Sequence, residues 1–386
     1  MKKIYLIFLL LLIVFMACKK TADNDDNSTV TEEDLISYNN IISLQNKAAE
    51  NYFTWLQTMD SLKVIEKLQQ FFLSDPSVTS ATIGSQGIAV QYANGMCGGI
   101  LLDFQDGSTG DTNGIEAIQR KPFSTIYEQS VSSIKNAAFL NPHEWERQMF
   151  TNKIIGNYNF WLPKVGSGLQ NVYKNTDATV DRFTELSGKG IIHIYSHGWA
   201  WPTEKNIDEV YVLSGEKSNV ETMKKYLKDL KNRNLIIPLN AYSKSNYAIY
   251  YYVSPDFIRS HNDFSKDTVL FYGGFCYSFL GSWNQLYQKF AKSTYFGFTW
   301  FVDSGKSAYW AISLVDSLCD TAARTPCDPE RWMKNSPIPK SYWSEEAHKN
   351  IHIKYAGDPH LIFWKRSTLA VTTNPVTNVT QTTATC

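Results

Sequence analysis

The amino-acid sequence predicts an α/β fold in which helices flank a mainly parallel sheet. Residues 190–195 and 269–275 are runs of mostly apolar, β-branched and aromatic residues, without the regular polar alternation of a half-exposed strand. Such runs are typical of strands buried on both faces of a parallel sheet. From about Ile134 onward, predicted strands and helices also follow each other in turn, as they do in βα units.

Each of the two runs is followed by a reactive side chain. The first leads to His197, which precedes Gly198, and the second leads to Cys276. The carboxyl ends of parallel strands form the crevice in which α/β proteins bind ligands. An imidazole and a thiol are the minimum set for nucleophilic catalysis, because the ring takes the thiol proton and the thiolate attacks a carbonyl carbon. The sequence therefore predicts a His–Cys pair at this edge.

A smaller α+β region is predicted before this domain, over residues 34–128. Residues 31–34 have the pattern of a capping box that opens a helix. Apolar residues spaced by three and four from Ile41 to Phe72 predict one amphipathic face, ended by Asp75-Pro76. Residues 78–104 are predicted strands with a hairpin at Asn94-Gly95. The region is expected to be a separate unit, either a removable or inhibitory prodomain or an accessory domain.

The main domain is assigned to residues 129–366. Besides the two apolar runs, its predicted strands are 137–140, 159–162, 295–301 and 351–355, and its predicted helices are 176–186 and 307–318. Residues 210–213 and 249–253 are predicted hairpin strands outside the main sheet, with a helix over 220–230 between them. Residues 367–386 are rich in Thr, Val and Asn and are expected to be a linker or the start of a β-sandwich module.

The N-terminus carries a predicted targeting signal. Lys2 and Lys3 precede a short apolar run, and residues 15–18 resemble a bacterial lipobox in which Cys18 is lipidated. An ordinary signal peptide or a short anchor are the alternatives. Residues 1–18 are thus a predicted signal peptide and 19–33 a disordered tether. Lys19 after the cysteine argues against inner-membrane retention, so we expect an outer-membrane lipoprotein, facing the periplasm or the cell surface, held in the membrane by its lipid alone.

Composition and spacing argue against several other classes of function. The 37 basic and 37 acidic residues give no net charge, so no field recruits nucleic acid, and no nucleic-acid partner is expected. His193 and His197 have the spacing of a zinc pair on a helix, but their run predicts a strand, and no metal or cofactor is expected. The expected compartment permits disulfides, and a local Cys319–Cys327 bridge is left open.

The two strand ends resemble the caspase-like cysteine peptidases, a group that includes caspases, legumain, gingipains, clostripain and separase. The shared pattern is an apolar strand followed by His-Gly, here His197-Gly198, and a second followed by the nucleophile, here Cys276. The gingipain and clostripain branch is nearest, because residues 355–361 are similar to a Gly-Asp-Pro segment late in gingipain-type domains. The resemblance covers the chain from about Ile134 to Phe363.

This resemblance implies an endopeptidase that acts on proteins or peptides. His197 would be the base and later the acid, Cys276 the nucleophile, and the amides of Gly198 and Cys276 the oxyanion hole. The chain departs from the pattern at two positions. Phe275 stands where many members have a small residue, and Gly274 where some members that cut after Arg or Lys have an Asp. Cleavage after a basic residue is therefore not supported by position 274.

Five residues are predicted to contact the substrate: Trp199, Gly274, Tyr277, Trp300 and Asp303. The aromatic residues would form apolar walls, and Asp303 could accept a cationic side chain. The alternative function is a non-catalytic adhesion or glycan-binding lipoprotein on the same scaffold, motivated by these aromatic residues and the C-terminal segment. An acyl transferase using the same pair is a further alternative. The cleavage specificity, a need for Ca²⁺ and removal of the front region are left open.

Overall fold

The computed structural model describes residues 29–102, 136–202, 207–243, 246–290, 292–319, 327–335, 341–344, 349–359 and 361. The predicted lipobox with Cys18, most of the predicted tether and the C-terminal segment 367–386 lie outside these residues. No helix in the described part of the chain is long and apolar enough to cross a membrane.

The described residues form a mixed α/β fold with two sheets flanked by helices. The helices are α1 (Glu32–Trp55), α2 (Ser61–Leu73), α3 (Glu144–Trp161), α4 (Val220–Lys231), α5 (Pro255–His261), α6 (Ser304–Cys319) and α7 (Pro329–Asn335). The strands are β1 (Val78–Gly84), β2 (Gly87–Tyr92), β3 (Cys97–Leu102), β4 (Ala137–Asn141), β5 (Leu169–Lys174), β6 (Ile191–Tyr195), β7 (Gly198–Pro202), β8 (Ile207–Lys217), β9 (Leu235–Ser243), β10 (Asn246–Val253), β11 (Thr268–Gly274), β12 (Lys292–Phe298), β13 (Ser341–Ser344) and β14 (Lys349–Gly357).

One sheet, called the parallel sheet here, has the strand order β13-β14-β12-β11-β6-β4-β5. The five strands from β12 to β5 are parallel to their neighbours, while β14 and β13 pair in the antiparallel sense. The two apolar runs of the sequence are β6 and β11, and every residue of β6 is buried. The predicted α/β class with a mainly parallel sheet is therefore confirmed.

The parallel sheet is covered on both faces, which explains its apolar strands. On one face Phe139, Tyr195 and Tyr272 pack in one cluster with Tyr158 of α3 and Leu314 of α6. The other face belongs to a larger cluster shared with α1, α2 and the second sheet. Because fully burying a large apolar side chain contributes about 1.5–3 kcal/mol, this double coverage favours strands without polar alternation.

The second sheet, called the mixed sheet, has the order β1-β2-β3-β9-β10-β8-β7. Its strand pairs are antiparallel except for β3 and β9. The buried Gln45 of α1 strengthens this parallel pair, since its amide nitrogen donates to the Ile237 carbonyl and its oxygen accepts from the Gly99 and Leu239 amides. The predicted front region therefore does not form a sheet of its own, because β1–β3 share one with strands from residues 198–253.

Several predicted elements need correction. Residues 159–162, predicted as a strand, are the end of α3 and the start of a 3-10 turn at Leu162–Val165. The predicted helix 176–186 consists of short 3-10 turns, and β5 and β9 were not predicted. The single helical face from Ile41 to Phe72 is divided between α1 and α2, because Asp60 caps a new helix through the Lys63 amide. The capping box at Thr31 and the strand at 137–140 are confirmed.

His193 is part of the core of the parallel sheet. It lies in β6, fully buried, with its Nδ1 atom 2.9 Å from the Tyr158 hydroxyl oxygen. The Phe139 and Tyr272 rings lie edge-on to its imidazole. Burial disfavours the charged ring and lowers the pKa of His193 from 6.5 to about 3. The residue is therefore neutral near neutral pH, and it lies on a strand and not on a helix.

The burial of His193 should make the protein less stable in acid. Above pH 6.5 the ring is neutral in both the folded and the unfolded chain. Below that pH the unfolded ring binds a proton that the folded ring excludes, down to the folded pKa of about 3. Over this window the free energy of unfolding should fall by about 1.4 kcal/mol per pH unit because of this group.

The variant His193→Gln should flatten this dependence, since glutamine leaves a polar partner for Tyr158 but does not titrate. Urea unfolding of the wild type and the variant between about pH 7.5 and about pH 5 measures the difference in slope. His352→Gln is the control, because the His352 side chain is exposed. Equal slopes in the wild type and His193→Gln would contradict the assignment.

Candidate active site

The register of two parallel strands brings together the strand ends that precede the predicted pair. In the pairing of β6 with β11, Tyr195 lies beside Gly274, and the Ser196 amide donates to the Gly274 carbonyl at 3.4 Å. Two residues after the paired Tyr195 the sequence reaches His197, and two residues after the paired Gly274 it reaches Cys276. The imidazole and the thiol therefore extend from adjacent strands at the same edge of the sheet.

A second histidine lies at the same edge, which the sequence reasoning missed. Strand β4 pairs with β6 on the side away from β11, with Leu140 beside Ile194, and His143 follows three residues later, as His197 does on β6. The two imidazole rings are perpendicular, with centroids 5.2 Å apart. The one available signal was that a predicted strand ended at Asn141-Pro142, directly before this histidine.

His143 is held in place by its turn and by an aromatic neighbour. Its amide donates to Asn141 Oδ1 at 3.1 Å, and the Asn141 side-chain nitrogen donates to Thr151 Oγ1 at 2.6 Å. The Tyr250 ring lies 5.9 Å from the His143 ring, and His143 is only 1 % exposed. The half-buried His197 thus lies next to a buried ring whose backbone is held in place.

The Cys276 thiol is half-buried and has a backbone donor. The Val302 amide donates to Sγ at 3.5 Å, and Sγ lies 3.9 Å from the Val302 carbonyl oxygen. Val302 precedes α6, which begins at Ser304. An amide donor stabilises negative charge on sulfur, whereas a carbonyl oxygen accepts from the protonated thiol. The Val302 backbone therefore contacts Cys276 Sγ with both a donor and an acceptor.

The other cysteines in the described part of the chain have different surroundings. Cys97 and Cys319 are fully buried, and burial raises the pKa of the Cys319 thiol well above its usual range. Cys327 is half-buried. All four described cysteines are present as thiols, so the local Cys319–Cys327 bridge is not formed in this structure.

Gly198 is in direct contact with the cysteine backbone. An ideal Cβ atom added to Gly198 would lie 2.1 Å from the Cys276 carbonyl oxygen and 2.9 Å from the Phe275 ring. No side chain fits at that distance, so this close approach of β7 to the Cys276 turn requires glycine. The two residues predicted as oxyanion donors are therefore neighbours in space.

The residues before Cys276 face the core. Phe275 is fully buried, with its ring 4.8 Å from that of Trp283, so it packs inside the protein and does not occupy a pocket. A Cβ atom on Gly274 would lie 3.1 Å from Ile194, Ser307 and Tyr195 atoms. A carboxylate at position 274 would have to displace these neighbours, and Gly274 is a packing residue of β11.

The predicted aromatic walls are only partly at the rim. Trp199 is 1 % exposed and packs against Trp201 and Tyr252. Its side chain is not accessible to a substrate in this structure, so the predicted substrate contact is wrong. Tyr277 is also fully buried, with its ring 4.9 Å from that of Trp300. Trp300 is half-buried and stays a candidate contact.

Asp303 lies beside the site but already has a structural role. Its Oδ1 atom accepts a hydrogen bond from the Lys306 amide at 2.9 Å, which caps the first turn of α6. Its neighbour Val302 contacts the Cys276 sulfur. Asp303 therefore follows directly on a residue that contacts the thiol, and its role in binding a cationic side chain stays a prediction.

The Gly-Asp-Pro segment lies at the amino-terminal ends of the parallel strands, opposite the ends that lead to His197 and Cys276. The Asp358 amide donates to the Ser293 carbonyl at 2.6 Å, and its carboxylate pairs with Lys292 at 3.1 Å, both at the amino end of β12. The segment closes a strand end far from Cys276 along β12. Among the described residues, no group of three or more His, Cys, Asp or Glu side chains could hold a metal ion.

Comparisons of the chain with protein-family models, with curated proteins and with solved structures gave no match.

Proposed function

We propose that this protein is an extracytoplasmic cysteine endopeptidase with a caspase-like catalytic domain. The observation that carries the proposal is the register of β6 and β11, which pairs Tyr195 with Gly274 so that the strand ends leading to His197 and to the half-buried Cys276 are adjacent. The proposal is also supported by the resemblance to caspase-like peptidases, in which His-Gly comes first along the chain and the nucleophilic Cys second. Attachment through a lipid on Cys18 to the outer membrane is part of the same proposal.

The chemistry is acyl transfer through a thioester. His197 takes the proton of Cys276, and the thiolate attacks the carbonyl carbon of the peptide bond, so that a C–S bond forms. The amides of Gly198 and Cys276 donate to the oxyanion. His197 then gives its proton to the leaving amine as the C–N bond breaks, and a water molecule hydrolyses the thioester.

His143 acts in this proposal as a positioning residue. Its ring is perpendicular to that of His197, and its backbone is held by the Asn141 turn. A catalytic imidazole gains from a neighbour that restricts its orientation, because both proton transfers need a defined geometry. His143 supplies that restriction from the adjacent strand β4.

Incubation of the purified full-length protein with a peptide library, followed by mass spectrometry, tests the proposal. We expect discrete cleavage products and labelling of Cys276 by iodoacetamide. Cys327 is the other half-buried thiol among the described cysteines, so the labelling is done in Cys327→Ser protein as well. Uncut peptides together with no preferential labelling of Cys276 would overturn the proposal in favour of the adhesion or glycan-binding alternative.

A further inference from the structure

The turn between β1 and β2 contacts the strand that carries Gly198. The Gln86 side-chain nitrogen donates to the Gly198 carbonyl at 2.8 Å, and its oxygen accepts from the Ala200 amide at 2.9 Å. One amide group thus makes both hydrogen bonds that a neighbouring strand would make with this part of β7. The position of the Gly198 backbone depends on a residue from the front of the chain.

The same turn also contacts the residue after the nucleophile. The Ser85 hydroxyl lies 3.0 Å from the Tyr277 hydroxyl. Tyr277 has a left-handed backbone with φ of 60°, which is uncommon for a bulky residue and persists only where the surroundings determine it. Its amide donates to the Trp300 carbonyl at 2.9 Å. The Ser85-Gln86 turn therefore holds both sides of the contact between Gly198 and Cys276.

The turn is itself fixed at both ends. A Cβ atom on Gly87 would lie 2.0 Å from the Ile100 carbonyl oxygen, so the turn is packed tightly against β3. A Cβ atom on Gly84 would lie 2.8 Å from the Pro202 ring at the end of β7. A turn that is this closely packed can transmit the position of the front strands to Gly198.

We infer that Gln86 is a positioning residue of the catalytic site, which sets the distance between the two oxyanion donors, Gly198 and Cys276. The inference rests on the proposed function, because it concerns the same site. It also makes β1–β3 a working part of the active protein instead of a removable prodomain.

The test compares two reactions of Cys276 in Gln86→Met. Acylation by para-nitrophenyl acetate forms a C–S bond, breaks the ester C–O bond and releases nitrophenolate, while the thiol proton moves to His197. It passes through an oxyanion, whereas alkylation by iodoacetamide does not. We expect acylation to slow by about tenfold or more and alkylation to change by less than about twofold, since a misplaced oxyanion donor affects only the first reaction.

Gln69→Met is the matched control, since Gln69 also donates its side-chain amide to a backbone carbonyl of the front strands, that of Ala81, at 2.8 Å. It should leave both rates unchanged. Gln86→Glu is a second variant of the same shape, which keeps an acceptor for Ala200 but loses the donor to Gly198, and it should reproduce the split between the two rates if Gln86→Met does not fold.

The outcomes separate the two proposals. A wild type that para-nitrophenyl acetate does not acylate at Cys276 would refute the proposed function. Normal acylation of the wild type, with equal rates in Gln86→Met and Gln69→Met, would refute the positioning role alone. A parallel loss of acylation and alkylation in both Gln86 variants would show a general structural effect and would also refute it.

Discussion

Replacing His197 with alanine is expected to lower peptide hydrolysis at neutral pH by about 10²–10⁴-fold, the usual contribution of a general acid–base residue. In the proposed function the His197 imidazole takes the thiol proton, since His197 follows Tyr195 by two residues as Cys276 follows Gly274, and these two strand residues are paired. Without it the thiolate fraction falls and the leaving amine receives no proton. Labelling of Cys276 by iodoacetamide at neutral pH should slow as well, because alkylation also requires the thiolate.

The experiment measures hydrolysis of a library-derived peptide and the rate of Cys276 labelling in the same preparations. His352→Ala is the control, since it removes an exposed histidine. Cys276→Ala sets the background and should abolish both signals. Full labelling of Cys276 in His197→Ala would mean that the thiol does not depend on this ring, and the proposed pair would have to be abandoned.

Gly198→Ala is expected to lower hydrolysis by about 100-fold or more. Its methyl carbon would meet the Cys276 carbonyl oxygen at 2.1 Å, so the strand end and the cysteine turn must move apart. Overpacking of this kind costs about 1–3 kcal/mol of stability. Loss of one oxyanion donor costs about 10²–10³ in rate, and a displaced pair of donors should cost at least as much.

Thermal unfolding and peptide hydrolysis of Gly198→Ala measure the two effects together. The control is Gly156→Ala in α3, where an added Cβ atom has no neighbour within 4 Å. That change should stabilise the helix by about 0.5–1 kcal/mol and leave hydrolysis unchanged. Wild-type activity in Gly198→Ala would show that hydrolysis does not need the close approach of β7 to Cys276. It would contradict the assignment of Gly198 as an oxyanion donor.

The sequence was informative where one physical cause dominates. Strands β6 and β11 are buried on both faces, and this leaves an unbroken apolar run that can be recognised without a structure. The pairing partner of a strand depends on contacts distant in the chain, and no local pattern encodes it. His197 and Cys276 could therefore be found as candidates without a structure, while the adjacency of the strand ends that precede them is known only from the register.

The missed His143 and the wrongly predicted Trp199 have a common cause. His143 follows a short strand, β4, and only the pairing of β4 with β6 puts it beside His197. Trp199 follows His197-Gly198 in the chain, but β7 turns into the mixed sheet and pairs with β8. Its side chain is buried there with Tyr252. Which face of which sheet a residue occupies is a tertiary property, so an aromatic residue near a reactive one is weak evidence of a substrate contact.

The parallel pairing of β3 with β9 determines what proteolytic removal of the front strands would expose. Release of the first three strands would uncover β9 along its register from Ile237 to Ala241, a central strand with mostly apolar side chains. An unpaired strand edge of this kind pairs with other chains and leads to aggregation. A cut between β3 and β4 would therefore be tolerated only as a nick, with the two fragments migrating as one particle and separating in denaturant.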